Sequence, residues 1–129
     1  MSEIVELTIP VRADLVVLAR LTAATVAARA DFDIEEIEDL RLAVDELCGS
    51  LAQTGGDGRL DFQFSSEDGQ IEVSCSYRGS SIAAVPTNEG SFGDLSARIL
   101  DALVDEHGEE MEDGLRRAWL RKRRTSHSG

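Results

Sequence analysis

The run from Asp33 to Gly55, DIEEIEDLRLAVDELCGSLAQTG, constrains the fold more than any other stretch. Ile34, Ile37, Leu40, Val44, Leu47 and Leu51 recur at steps of three and four residues, which lines one face of an α-helix. Asp33 followed by Glu36 is a capping box, an N-terminal side-chain cap with an acid three residues on that reaches back. Glu35, Glu36, Glu38 and Asp39 crowd the positive end of the helix dipole and read as a stabilised, solvated face rather than as ligands. A helix with one wide apolar stripe must bury it against another layer, so the remaining chain has to supply that layer.

It supplies strands and two further helices. Ile4 to Ile9 is short, rich in branched residues and closed by Pro10, which predicts a strand. Between Ala13 and Arg29 the residues Leu15, Leu18, Leu21 or Thr22, and Val26 keep helical spacing with alanine filler. This predicts that the leucine stripe is buried and that Arg12, Arg20 and Arg29 lie at or near solvent. Gly55-Gly56-Asp57-Gly58 ends the second helix. Leu60, Phe62 and Phe64 alternate with polar residues, as do Ile71, Val73 and Cys75, and Glu67-Asp68-Gly69 between them predicts an antiparallel hairpin. Residues 78–91 form a long Gly-, Ser- and Pro-containing loop, Asp94 to Glu106 returns to helical spacing, and a last hairpin turns at Asp113-Gly114. The order predicts an α+β domain, a mixed and largely antiparallel sheet with about three helices on one face.

With 129 residues the chain suffices for one domain, placed at residues 1–120, with 121–129 as a basic, flexible C-terminal tail. The formal net charge of -12 argues against direct nucleic-acid or anionic-membrane binding and favours a basic partner. MSEIVELTIP carries no signal-peptide pattern, and no run approaches the roughly 18 apolar residues of a membrane span. A cytoplasmic location is therefore expected. Cys48 and Cys75 lack metal-ligand or CxxC spacing, so they read as reduced thiols and no metal is assigned.

On the second helix Glu46 and Ser50 are four apart and share a face. An acid there can serve as general base toward a hydroxyl, and a side chain one turn on can help hold a metal-bound phosphate. The same spacing also arises as a plain surface pair, and spacing leaves both readings open.

The wider run IEEIEDLRLAVDELCGSLAQTG, after an N-terminal strand and an Arg-bearing helix, resembles the second helix of bacterial anti-sigma factors of the RsbW and SpoIIAB type. The likeness is nearest to the actinobacterial, mycobacterial-like anti-sigma-F branch and spans most of the chain. It implies the GHKL (Bergerat-type) two-layer sandwich, a fold that matches the layer read from the pattern. It further implies sequestration of an alternative, sigma-F/B-like sigma factor, release by an anti-anti-sigma (STAS-type) antagonist, a homodimer, and in many members phosphorylation of that antagonist with Mg-ATP. By the same resemblance Glu46 is the general base, and Ser50 stands where the family pattern has the Asn that ligates magnesium. The family's Asp-x-Gly-x-Gly adenine motif maps to Tyr77-Arg78-Gly79-Ser80-Ser81, where one glycine survives. The phosphate-cradling segment maps to Gly90-Ser91-Phe92-Gly93-Asp94, where Asp94 would repel a phosphate. Gly79, Gly90 and Gly93 are thus the remaining cofactor-binding candidates, in a nucleotide site that looks degenerate for Mg-ATP or ADP. Arg20, in Leu18-Ala19-Arg20, occupies the position of the family's partner-binding arginine.

Overall fold

The computed structural model describes residues 3–52, 58–78, 90–112 and 115–124. Its elements are β1 (Glu3–Pro10), a 3-10 turn (Ala13–Leu15), α1 (Val16–Arg29), α2 (Ile34–Ala52), β2 (Arg59–Glu67), β3 (Gln70–Arg78), α3 (Gly90–Leu103), β4 (Glu106–Glu112) and β5 (Leu115–Arg123). The strands form one sheet in the order β1-β2-β3-β5-β4. Every pairing is antiparallel, which sharpens the expected mixed sheet to a purely antiparallel one.

The register aligns whole rungs across the sheet. Val5, Phe64, Val73, Leu120 and His107 face one another in one rung, and Leu7, Phe62, Cys75, Ala118 and Glu109 in the next. Their apolar members are buried under the helices or packed against that core. On the opposite face Thr8 bonds Asp61 at 2.8 Å, Arg117 pairs with Glu110, and Arg121 pairs with Glu106 and Glu72. Trp119 lies on that face against Gly108, where an added Cβ would stand 3.0 Å from the indole, and the Arg121 guanidinium sits 5.2 Å over the ring. The sheet therefore buries one side and solvates the other.

The β2–β3 hairpin turns at Asp68 and Gly69, with φ of 30° and 76°, the positive pair that a two-residue Asp-Gly hairpin requires. The capping box is present: Glu36 N–H donates to Asp33 Oδ1 at 2.8 Å and Asp33 N–H to Glu36 Oε1 at 2.9 Å. Asp33→Ala should therefore lower unfolding stability by about 1 kcal/mol in urea titrations.

Three expectations are corrected. In α1 the buried residues are Ala19, Ala23, Val26 and Ala27, whereas Leu18 and Leu21 are exposed. Phe62 and Phe64 rise from the sheet and fill the space beneath the helices, so the small side chains are the ones that face inward. The segment from Arg121 is not a tail at its start, because Arg121, Lys122 and Arg123 complete β5. Lys122 is buried and donates to the Leu103 carbonyl at 2.9 Å, satisfying an acceptor at the C-terminal end of α3. Residues 125–129 lie outside the described residues. Finally, α3 begins at Gly90 rather than Asp94, and its inward face carries Ser96 and Leu100, with Leu95 exposed.

The N-terminal strand is clipped to α1 by a bidentate pair, Arg29 Nε to Glu3 Oε1 at 3.0 Å and Nη2 to Oε2 at 2.8 Å. Hydrogen bonding to Arg29 holds the Glu3 carboxyl below its ordinary range, and the same bond raises Arg29. A depressed acid pKa stabilises the folded state above the unfolded value, and that contribution is lost as pH falls through the folded value. Arg29→Gln should move the Glu3 midpoint upward in an NMR pH titration, and an unmoved midpoint would contradict this origin.

Candidate functional site

The candidate acid of α2, Glu46, lies on the turn from Leu42 to Glu46. The apolar stripe turns Ala43, Val44 and Leu47 into the core, which leaves Asp45 exposed and Glu46 half-buried at the rim. Ser96 Oγ, on α3, donates to Glu46 Oε2 at 2.8 Å and is only 7% exposed. Across the other side of α2, Arg20 of α1 places its Nε 3.7 Å from Asp45 Oδ1. That Nε is shielded from solvent and has no hydrogen-bond partner among the described residues. The adjacent acids Asp45 and Glu46 thus tie α2 to both neighbouring helices.

Apolar side chains stand exposed around the Arg20–Asp45 pair. On α1, Val17 precedes Arg20 by three residues and is 38% exposed, and the adjacent Leu21 is 51% exposed. On α2, Leu42 precedes Asp45 by three residues and is 56% exposed. Residues three apart on a helix are neighbours, so Val17 and Leu42 flank the ion pair on the outer surface of the helical layer, whereas Leu21 lies further round α1 beside Leu18 and Thr25.

Behind Ser96 lies a cavity of about 250 Å³ lined by Leu47, Ala97, Leu100, His107, Glu109 and Ala118. It is smaller than the roughly 300–1,000 Å³ of typical small-molecule pockets. Among the described residues no group of three or more His, Cys, Asp or Glu side chains is arranged to hold a metal ion. Cys48 and Cys75 are buried free thiols. Hydrogen bonding with Cys48, followed by burial, pushes the Cys75 thiol well above its usual range, which suppresses the reactive thiolate.

Ser50 is in α2 one turn beyond Glu46, Gly90 opens α3 and Gly93 belongs to its first turn. Gly79 lies outside the described residues. Two partners of the site had no sequence signal strong enough to single them out. Asp45 was visible only as half of an acidic doublet, and Ser96 is 50 residues from the carboxylate it bonds.

No protein-family model matches the chain. A serine-protein kinase RsbW of Bacillus pumilus (strain SAFR-032) is 29% identical over 109 residues, covering 80% of this chain and 67% of that protein. Over most of its length the chain is therefore similar to RsbW-type proteins. A serine-protein kinase RsbW of Bacillus cereus (strain AH187) is 41% identical over 51 residues, or 40% of this chain, and one of Bacillus thuringiensis (strain Al Hakam) matches to the same extent. Those shorter matches span 32% of either relative's length. The antiparallel sheet with three helices on one face agrees with the GHKL-type sandwich expected of RsbW-like chains. No helix among the described residues is long and apolar enough to cross a membrane.

Proposed function

We propose that this chain is an anti-sigma factor of the RsbW type. It sequesters an alternative sigma factor of the sigma-F/B class in the cytoplasm, acts as a homodimer and is released by an anti-anti-sigma antagonist of the STAS type. The observation that carries this reading is the exposed apolar surface beside Arg20, built from Val17 and Leu42 on two packed helices and extended along α1 by Leu21. Large apolar side chains rimmed by charged groups are the usual mark of a protein-binding surface. Arg20 supplies a directional cation there, suited to a partner carboxylate. The excess of acid has a role as well. From Arg116 to Arg124 each basic residue pairs internally with an acid: Arg116 with Glu109, Arg117 with Glu110, Arg121 with Glu72 and Glu106, Lys122 with Asp39, Arg123 with Glu106 and Arg124 with Asp31. The net charge of -12 is left to steer a basic, DNA-binding partner.

Calorimetric titration with a sigma-F/B-class sigma factor tests the reading. Binding at micromolar or tighter affinity, about -8 kcal/mol, is expected. No heat and no co-elution at tens of micromolar would reject it.

A second reading is an ATP-dependent serine/threonine kinase acting on the antagonist, favoured by the retained Glu46 and by the serine-protein kinase relatives. Under it Glu46 would take the proton of the acceptor hydroxyl as the antagonist's oxygen bonds to the terminal phosphorus of ATP, the bond from that phosphorus to the bridging oxygen breaks, and ADP leaves with the electron pair. Ser50, in place of Asn, is the feature that sets this reading second, since a hydroxyl is a shorter ligand for Mg-ATP than an amide carbonyl. Transfer of labelled phosphate to the antagonist, abolished by Glu46→Ala, would establish it, and failure of a fluorescent ATP analogue to bind at millimolar nucleotide would exclude it.

A further inference from the structure

We propose that Ser96 is a positioning residue for Glu46, fixing the direction of that carboxylate from α3. The proposal takes from the kinase reading above only the role of Glu46 as the retained acid.

Ser96 is buried, and its single hydroxyl proton is directed at Glu46 Oε2 over 2.8 Å. A hydrogen bond to an ionised carboxylate is short and roughly twice as strong as one between neutral groups. Long, rotatable glutamate side chains at a half-buried rim are otherwise free to turn outward, and here the hydroxyl removes that freedom. The anchor is itself fixed. Leu100, one turn after Ser96, is buried, and Leu47, one residue after Glu46, is buried as well. Both line the same cavity between α2, α3 and the sheet. Turning α3 to carry Ser96 elsewhere would lift Leu100 out of that packing.

The chemical consequence follows from which helix holds the hydroxyl. α3 opens with Gly90 and Gly93, the segment with the remaining phosphate-site candidates, and its first backbone N–H groups point out of the helix start. The same rigid element therefore sets the place of that N-terminus and the direction of the acid on α2. In the general pattern of an acid or base held by a third group, Ser96 is the orienting group. Any shift of α3 by about the reach of one hydrogen bond releases Glu46.

Site-resolved carboxyl labelling tests this on the intact chain without nucleotide or partner. Carbodiimide-activated coupling of glycinamide is followed peptide by peptide by mass spectrometry, comparing Glu46 with exposed Glu35 on the same helix. Ser96→Ala is nearly isosteric and removes only the hydroxyl. It should raise the Glu46 labelling rate at least fivefold while Glu35 changes less than twofold. An unchanged Glu46 rate, or an equal rise at Glu35, would overturn the proposal. The titration with the sigma factor and the ATP-analogue assay judge the functional readings separately, so a failure here and a failure there are distinguishable.

Discussion

Arg20→Glu is expected to weaken sigma-factor binding at least 100-fold, about 2.7 kcal/mol, while leaving the fold intact. Two effects add. The partner loses a cation that Arg20 presents between Val17 and Leu42, and the new carboxylate faces Asp45 and any acid the partner brings to Arg20. Removing one member of a desolvated charge contact typically costs 2–5 kcal/mol, and like-charge juxtaposition adds to that. The effect on folding is far smaller. The Arg20–Asp45 contact is 3.7 Å long between side chains 34% and 50% exposed, and such pairs contribute roughly 0–1 kcal/mol. Titration calorimetry and urea unfolding of one preparation separate the two outcomes. Binding within threefold of wild type would place the partner surface elsewhere on the molecule.

How much of this was legible in the sequence depended on whether a residue's role was local. The helix from Ile34 was readable because its apolar period, its capping box and its acidic first turn all act within a few residues of one another. The β2–β3 hairpin was readable for the same reason, through alternation on both strands and an Asp-Gly turn. The face of α1 was not. Its helix carries apolar residues all round, and choosing between the leucines and the alanines requires knowing how far Phe62 and Phe64 project from a sheet made by distant segments. The last three residues of β5, Arg121 to Arg123, hid behind their charge. Lys122 points inward yet keeps its ammonium on the Leu103 carbonyl and within 4.0 Å of Asp39, a long-range arrangement that looks like a solvated tail in one dimension. At the site, Glu46 was singled out by the resemblance of its helix and not by the i,i+4 spacing, whereas Ser96 is one serine in a helix with no local pattern to mark it.

The same geometry predicts the largest stability effect in the molecule. Phe64→Ala should cost about 3–5 kcal/mol, a substantial fraction of the 5–15 kcal/mol that typically separates folded from unfolded domains. Phe64 is fully buried, lies in the rung between Val5 and Val73, and stacks on Phe62 with ring centroids 5.8 Å apart. What makes the loss hard to absorb is the layer above it. α1 turns Ala19, Ala23 and Ala27 inward, side chains too short to move into a vacated ring volume, and the sheet below is held in register on both sides. The cavity therefore persists, and cavity volume adds to the lost transfer energy. A lowered urea midpoint with an unchanged slope would report this as a folded-state effect. A cost under 1 kcal/mol would instead mean that α1 settles onto the sheet. In that case the outer surface carrying Val17, Arg20 and Leu21 would move with it, and sigma-factor affinity should fall in the same variant. Phe64→Leu, which keeps most of the volume, separates the two. It should cost much less, retain the position of α1, and bind the partner as the unmodified chain does.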